Sequence, residues 1–161
     1  MPAVYPVGMA ELRIGQEPDV LAAYGVGSCV IVIMFDPRSK KGGLAHVVLP
    51  DSAGISQERL NPRKFADTAI PLLFQTLSHA GAYRSSVWAK MVGGAEMFPL
   101  TEDHNTRIGA KNSEAVESAL TRPGVPIQGK ELGGSCGRSV ELHLDTGKVS
   151  VTILGESSKE L

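Results

Sequence analysis

The sequence carries almost no surplus charge of either sign. Sixteen lysines and arginines stand against seventeen aspartates and glutamates, a formal net charge of −1. No strong field is therefore available to gather nucleic acid or anionic lipid, and a protein partner or a small substrate fits better. There is no uncharged apolar span of about eighteen residues, the length a membrane helix needs, and the opening MPAVYPVGMAELRIG has no basic start followed by an apolar run. Neither membrane insertion nor a secretory leader is expected, and a cytoplasmic location is. Cysteine is scarce. Cys29 and Cys136 cannot make a disulfide framework, and in a reducing compartment such thiols are more often idle, catalytic or metal-bound than paired.

What is present is enough for one core. A chain of 161 residues with 42% hydrophobic side chains has the length and apolar content of one domain, expected over residues 1–155 with a loose tail at 156–161. Its 18 glycines and 10 prolines follow no repeat and punctuate many short elements. Residues 20–24 and 30–35 are β-branched and apolar, separated by Gly25-Val26-Gly27-Ser28-Cys29, which predicts strand, glycine loop, strand. A buried strand is predicted over 44–49, entered through a Gly42-Gly43 turn, with others over 87–92, 125–132, 138–144 and 148–154. A helix is predicted from Asn61-Pro62 until Gly81, with apolar residues at helical spacing from Phe65 to Leu77 and a kink at Pro71, and a second over 113–120. About seven strands against two helices give the α+β class, sheet packed on sheet with helices on the outside.

Cys29 is the residue best placed for chemistry. It follows Gly-Val-Gly-Ser between two apolar strands, where small residues leave room for a substrate and the backbone turns sharply. A thiolate is the attacking species, and a nearby histidine can remove the thiol proton; His46, on the predicted neighbouring strand, is the candidate. Backbone N–H groups around Gly27 and Ser28 are free in such a loop to face a developing oxyanion. Taken alone, both residues also fit plainer roles, Cys29 as core filler at a tight turn and His46 as a hydrogen-bonded strand histidine. His79 and His143 read as surface or structural residues, His104 as a loop residue and Cys136 as an incidental loop thiol. No pair among the histidines and cysteines has zinc-like spacing, so neither metal nor cofactor is expected.

The order of motifs decides between these readings. Gly25-Val26-Gly27-Ser28-Cys29-Val30 is followed by Gly42-Gly43-Leu44-Ala45-His46-Val47-Val48-Leu49-Pro50-Asp51 and by Phe65-Ala66-Asp67-Thr68-Ala69. Then come Lys90-Met91-Val92-Gly93-Gly94-Ala95-Glu96-Met97-Phe98, Ile108-Gly109 with Asn112, and Gly133-Gly134 with Gly137-Arg138-Ser139-Val140. Over nearly the whole chain this series resembles the CheD family of chemotaxis proteins.

The resemblance implies a cysteine hydrolase that converts particular glutamines of methyl-accepting chemoreceptors to glutamate, with Cys29 as nucleophile and His46 as base. It implies a fold of two mixed, mainly antiparallel sheets with flanking helices, as in bacterial deamidating toxins. It also leaves two alternatives: a regulatory binding module for a CheC-type phosphatase, and an esterase acting on methylated receptor glutamates. By analogy, Gly93-Gly94-Ala95 and the loop from Gly133 to Arg138 are expected on the rim of the site. One position departs from the family pattern. Where a threonine would complete the site, six residues before the cysteine, the chain has Ala23, which cannot hydrogen-bond an imidazole. The role then falls to a backbone carbonyl, to Ser28 or to water.

Overall fold

The computed structural model describes residues 2–97 and 107–161. Its strands, in chain order, are β1 (Val4–Pro6), β2 (Leu12–Gln16), β3 (Val20–Val26), β4 (Val30–Asp36), β5 (Lys41–Val47), β6 (Trp88–Gly93), β7 (Ile127–Leu132), β8 (Arg138–His143), β9 (Lys148–Ile153) and β10 (Ser158–Glu160). The two helices are α1 (Ala66–His79) and α2 (Ile108–Thr121). One sheet has the order β1-β3-β8-β9-β10 and the other β2-β5-β4-β6-β7. Each is mixed and mainly antiparallel, its single parallel pair being β1 with β3 in the first and β6 with β7 in the second.

β4 explains the layering. Its seven residues, Val-Ile-Val-Ile-Met-Phe-Asp, are all buried, as expected of a central strand covered on both faces. Val30, Val32 and Met34 face one core with Ile70, Leu73 and Leu77 of α1 and Val116 and Leu120 of α2. Ile31, Ile33 and Phe35 face a second core, against Leu21, Val140, Leu142 and Val149 of the other sheet. The result is three layers, sheet on sheet with both helices on the outer face of the second sheet. β8 carries the pattern of a strand covered on one face, buried Arg138, Val140 and Leu142 alternating with half-exposed neighbours.

Several expectations change. β1 and β2 add to the strands that the sequence predicts, because Pro2, Pro6 and Gly8 break the apolar periodicity of the first sixteen residues. Gly42 and Gly43 lie inside β5, where a side chain at either would run into Leu144 or Leu73, so they let the layers close and do not turn the chain. Helix α1 begins at Ala66 and not at Asn61: Asn61 Oδ1 accepts the Arg63 N–H (3.0 Å) in a turn of its own. The loose tail expected at 156–161 is instead largely an edge strand, β10 pairing with β9 and the Leu161 N–H donating to Val149 (2.9 Å). No helix among the described residues is long and apolar enough to cross a membrane.

Candidate active site

β3 belongs to one sheet and β4 to the other, so Gly27-Ser28-Cys29 is the three-residue crossing between them. β3 loses its regular register against β8 between Ala23 and Val26, and Gly25 takes φ 62°, a conformation that glycine adopts without strain. The crossing therefore leaves the sheet abruptly, and Cys29 at its end packs into the core between the sheets.

Pairing fixes where His46 stands. Val30 opposes Val47 and Ile31 opposes His46 on β5. Cys29 and Ile31, two residues apart, share the face between the sheets, so Cys29 and His46 are diagonal neighbours on that face. Both line a cavity of about 430 Å³ together with Val7, Gly27 and Ser28. Met9, Tyr24 and Met97 form its mouth and are 65%, 57% and 44% exposed, an unusual concentration of large apolar side chains in water. A groove of about 590 Å³ between α1 and α2 is larger but contains neither cysteine.

His46 is buried and fully oriented. Its N–H donates to Glu11 (3.0 Å), its carbonyl accepts from Ala10 (3.1 Å), and its ring Nδ1 lies 3.0 Å from the Val7 carbonyl. A carbonyl can only accept, so Nδ1 carries a proton, and in the neutral ring Nε2 is then the nitrogen with the lone pair. Burial pulls the imidazole below its ordinary value, outweighing the Val7 hydrogen bond and the Glu11 charge that favour the cation. Burial likewise pushes the Cys29 thiol up, against a smaller opposing effect of its own backbone N–H. Both shifts favour the uncharged thiol and the uncharged imidazole in the cavity that the two residues line.

The backbone of the crossing is held from behind. The Gly27 carbonyl accepts from the Ala95 N–H (3.0 Å), the Ser28 carbonyl from Asn112 Nδ2 (3.0 Å) and the Cys29 carbonyl from the Gly94 N–H (2.8 Å). In a trans peptide the C=O and the next N–H point in opposite directions. With the carbonyls drawn away, the N–H groups of Ser28 and Cys29 turn to the opposite side. Among the described residues, neither donates to a backbone carbonyl.

The structure corrects the expected rim. Gly93 and Gly94 lie behind the crossing, not at the cavity mouth, and a Cβ on Gly93 would collide with the Cys29 carbonyl oxygen. The loop from Gly133 to Arg138 braces that turn in its own right: Arg138 donates to the carbonyls of Gly93 (3.0 Å) and Gly133 (2.6 Å), and the Gly133 N–H donates to Gly93 (3.0 Å). Ala23 is fully buried in the core between the sheets and does not line the cavity. Cys136 is exposed, His79 borders the groove between the helices, and His143 lies 3.7 Å from Glu141. His104 and Phe98 fall outside the described residues. Among the described residues, no three histidine, cysteine or acidic side chains come together as a metal site.

The model of the family described as CheD chemotactic sensory transduction matches residues 48–153. A protein of Halalkalibacterium halodurans named chemoreceptor glutamine deamidase CheD is 40% identical over 159 residues, 98% of each chain. The chain belongs to the CheD family. A probable CheD of Oceanobacillus iheyensis is 45% identical over 139 residues, 86% of this chain and 84% of its own, and one of Symbiobacterium thermophilum is 41% identical over 157 residues, 96% of this chain and 95% of its own. The family model begins beyond Cys29 and His46, whereas the Halalkalibacterium alignment leaves room for only a few unmatched residues. Among solved structures, the hypothetical protein YfiH of Bacillus licheniformis has the same fold, with a TM-score of 0.51 at 12% identity over 82% of this chain; the chain spans 60% of that one.

Two contributions to this CheD site escaped the sequence. The Val7 carbonyl is a backbone group and leaves no mark on residue identity. Asn112 belongs to one of the motifs, but its sequence distance from Cys29 hides the contact.

Proposed function

We propose that this CheD protein deamidates glutamine side chains of chemoreceptors, with Cys29 as nucleophile and His46 as general base and acid. His46 Nε2 takes the thiol proton as Sγ bonds to the side-chain carbonyl carbon, and the negative charge collects on the carbonyl oxygen. The N–H groups of Ser28 and Cys29, together with that of Gly27, form the donor set for this oxyanion. As the tetrahedral intermediate collapses, the imidazolium returns its proton to the departing nitrogen and ammonia leaves a Cys29 thioester. Water, deprotonated by His46, adds to the thioester carbonyl; the C–S bond breaks and glutamate and the thiol are restored. No step requires a metal or cofactor.

The observation that carries this reading is the His46 tautomer. With Nδ1–H committed to Val7, the lone pair of Nε2 is available on the face that Cys29 shares. The Val7 carbonyl also supplies the orienting group that Ala23 cannot, which removes the main reason to prefer a purely regulatory role. The apolar mouth of Met9, Tyr24 and Met97 suits a glutamine presented on an amphipathic helical surface. A CheC-type phosphatase is part of the same proposal as a partner that competes for that mouth. Receptor methyl esters, whose acyl carbon would meet the same thiol, are the alternative substrate.

The test is mass spectrometry of a receptor cytoplasmic fragment incubated with the protein or its Cys29→Ala form. Conversion of glutamine to glutamate by the wild type alone supports the reading. Loss of methyl esters without any glutamine conversion favours the esterase, and no reaction by folded wild type leaves partner binding as the function.

A further inference from the structure

We infer that Asn112 is a positioning residue for the oxyanion donors, a single side-chain amide that fixes the Ser28 carbonyl against the end of the histidine strand and so aims the Cys29 N–H. It lies on α2, distant in sequence from both, and is completely buried. Its Nδ2 donates to the Ser28 carbonyl (3.0 Å) and to the Val48 carbonyl (2.9 Å). Ser28 immediately precedes the nucleophile and Val48 lies two residues beyond His46. Both acceptors are carbonyls, so the nitrogen must face them, and Oδ1 is left buried with no donor among the described residues.

The helix is brought close for this contact. Gly109 is one turn before Asn112 on the same helical face, and a Cβ there would lie 2.5 Å from the Gly94 oxygen and 2.6 Å from that of Ala95. The Glu96 carboxylate caps the same end, accepting from the Ala110 N–H at 2.9 Å. The consequence at the site follows from peptide geometry. Fixing the Ser28 carbonyl on Asn112 turns the Cys29 N–H the other way, toward its own thiol and the place where the oxyanion develops. An apolar side chain here would fill the space but would take the donor away from the Ser28 and Val48 carbonyls, so the amide is needed for those two contacts, and the Ser28 contact is the one that reaches the site.

This inference rests on the proposed deamidation, and the experiment separates the two. Wild type, Cys29→Ala, Asn112→Ala and the isosteric Asn112→Asp are compared for kcat and KM on a receptor fragment, for the rate of Cys29 alkylation by iodoacetamide, and for thermal melting. Alkylation depends on the thiol and its base but needs no oxyanion donors, so it reports on what a general collapse of the site would change. The expected result for folded Asn112 variants is a kcat lowered about 100-fold, as for a lost oxyanion donor, with KM within about twofold and alkylation near the wild-type rate. Wild-type kcat in either folded variant overturns the inference, and so does a fall in alkylation that matches the fall in kcat. Failure of both variants to fold assigns Asn112 to folding alone and overturns it too. Absence of deamidation by the wild type instead overturns the proposed function, and this inference with it.

Discussion

Val7 joins the two sheets at His46. Its N–H donates to Ala22 of β3 at 2.7 Å, and its carbonyl accepts from His46 Nδ1 at 3.0 Å, so the residue that follows the first sheet's edge strand holds His46 of the second. The imidazole is therefore predicted to be neutral with its proton on Nδ1. Nitrogen-detected NMR of the wild type near neutral pH should show that tautomer, and a proton on Nε2 would contradict the Val7 assignment.

The pH profile follows from the direction of the two shifts. The His46 cation forms only below the ordinary imidazole value of 6.5, so kcat/KM should hold through that pH and decline at lower values as the free base is lost. The Cys29 thiol is raised above 9.0, so the alkaline decline belongs above that value. Measured rates that already halve on acidification above 6.5 would contradict a buried, neutral base.

Because Val7 orients the imidazole, restoring a threonine at position 23 should not increase kcat. Ala23 has no exposed surface, and Ala23→Thr adds a methyl and a hydroxyl to a filled core, which costs about 1–3 kcal/mol. A lower melting temperature with unchanged kcat is expected. A rise in kcat would show that the site lacks its third group.

Much of this was legible in the sequence, for physical reasons. The continuous apolar run of β4 marks a buried strand, and Gly-Val-Gly-Ser-Cys marks a glycine loop where small residues make room, although not that the loop passes from one sheet to the other. Neighbouring strands then brought Cys29 and His46 together. Other features were not legible because identity does not encode them. Backbone donors and acceptors such as Val7 and Ala95 depend on tertiary placement, and Gly93 and Gly94 read as a rim until their contact with the Cys29 carbonyl showed them behind the site. The edge strand β10 is polar, Ser-Lys-Glu, and its pairing comes from the β9 edge.

Asp36 should be the acid-sensitive point of the fold. Its buried carboxylate is held at about 2, below the ordinary 3.8, because hydrogen bonds from Ser86, Tyr83, Ser39 and Arg38 together outweigh the larger single effect of burial, which acts upward. A depressed carboxylate stabilises the fold above its unfolded value, so this contribution is lost as pH falls from about 3.8 toward about 2. Asp36→Ala leaves those donors unpaired and should cost about 3 kcal/mol at neutral pH, read by denaturant unfolding. An unchanged midpoint would contradict this.

Tyr24, at the mouth and more than half exposed, contributes little to the core. Tyr24→Ala should raise KM for a receptor fragment about tenfold with kcat nearly unchanged, the pattern of lost uniform binding. An unchanged KM would remove the apolar mouth from substrate recognition.

The central claim is that the acyl group passes through Cys29. Mixing the protein with a receptor fragment, quenching in acid within the first turnover and measuring the intact mass tests it directly. The account predicts a thioester between Cys29 and the fragment, absent in Cys29→Ala. Glutamate formation with no adduct, or an adduct on Cys136, would contradict it.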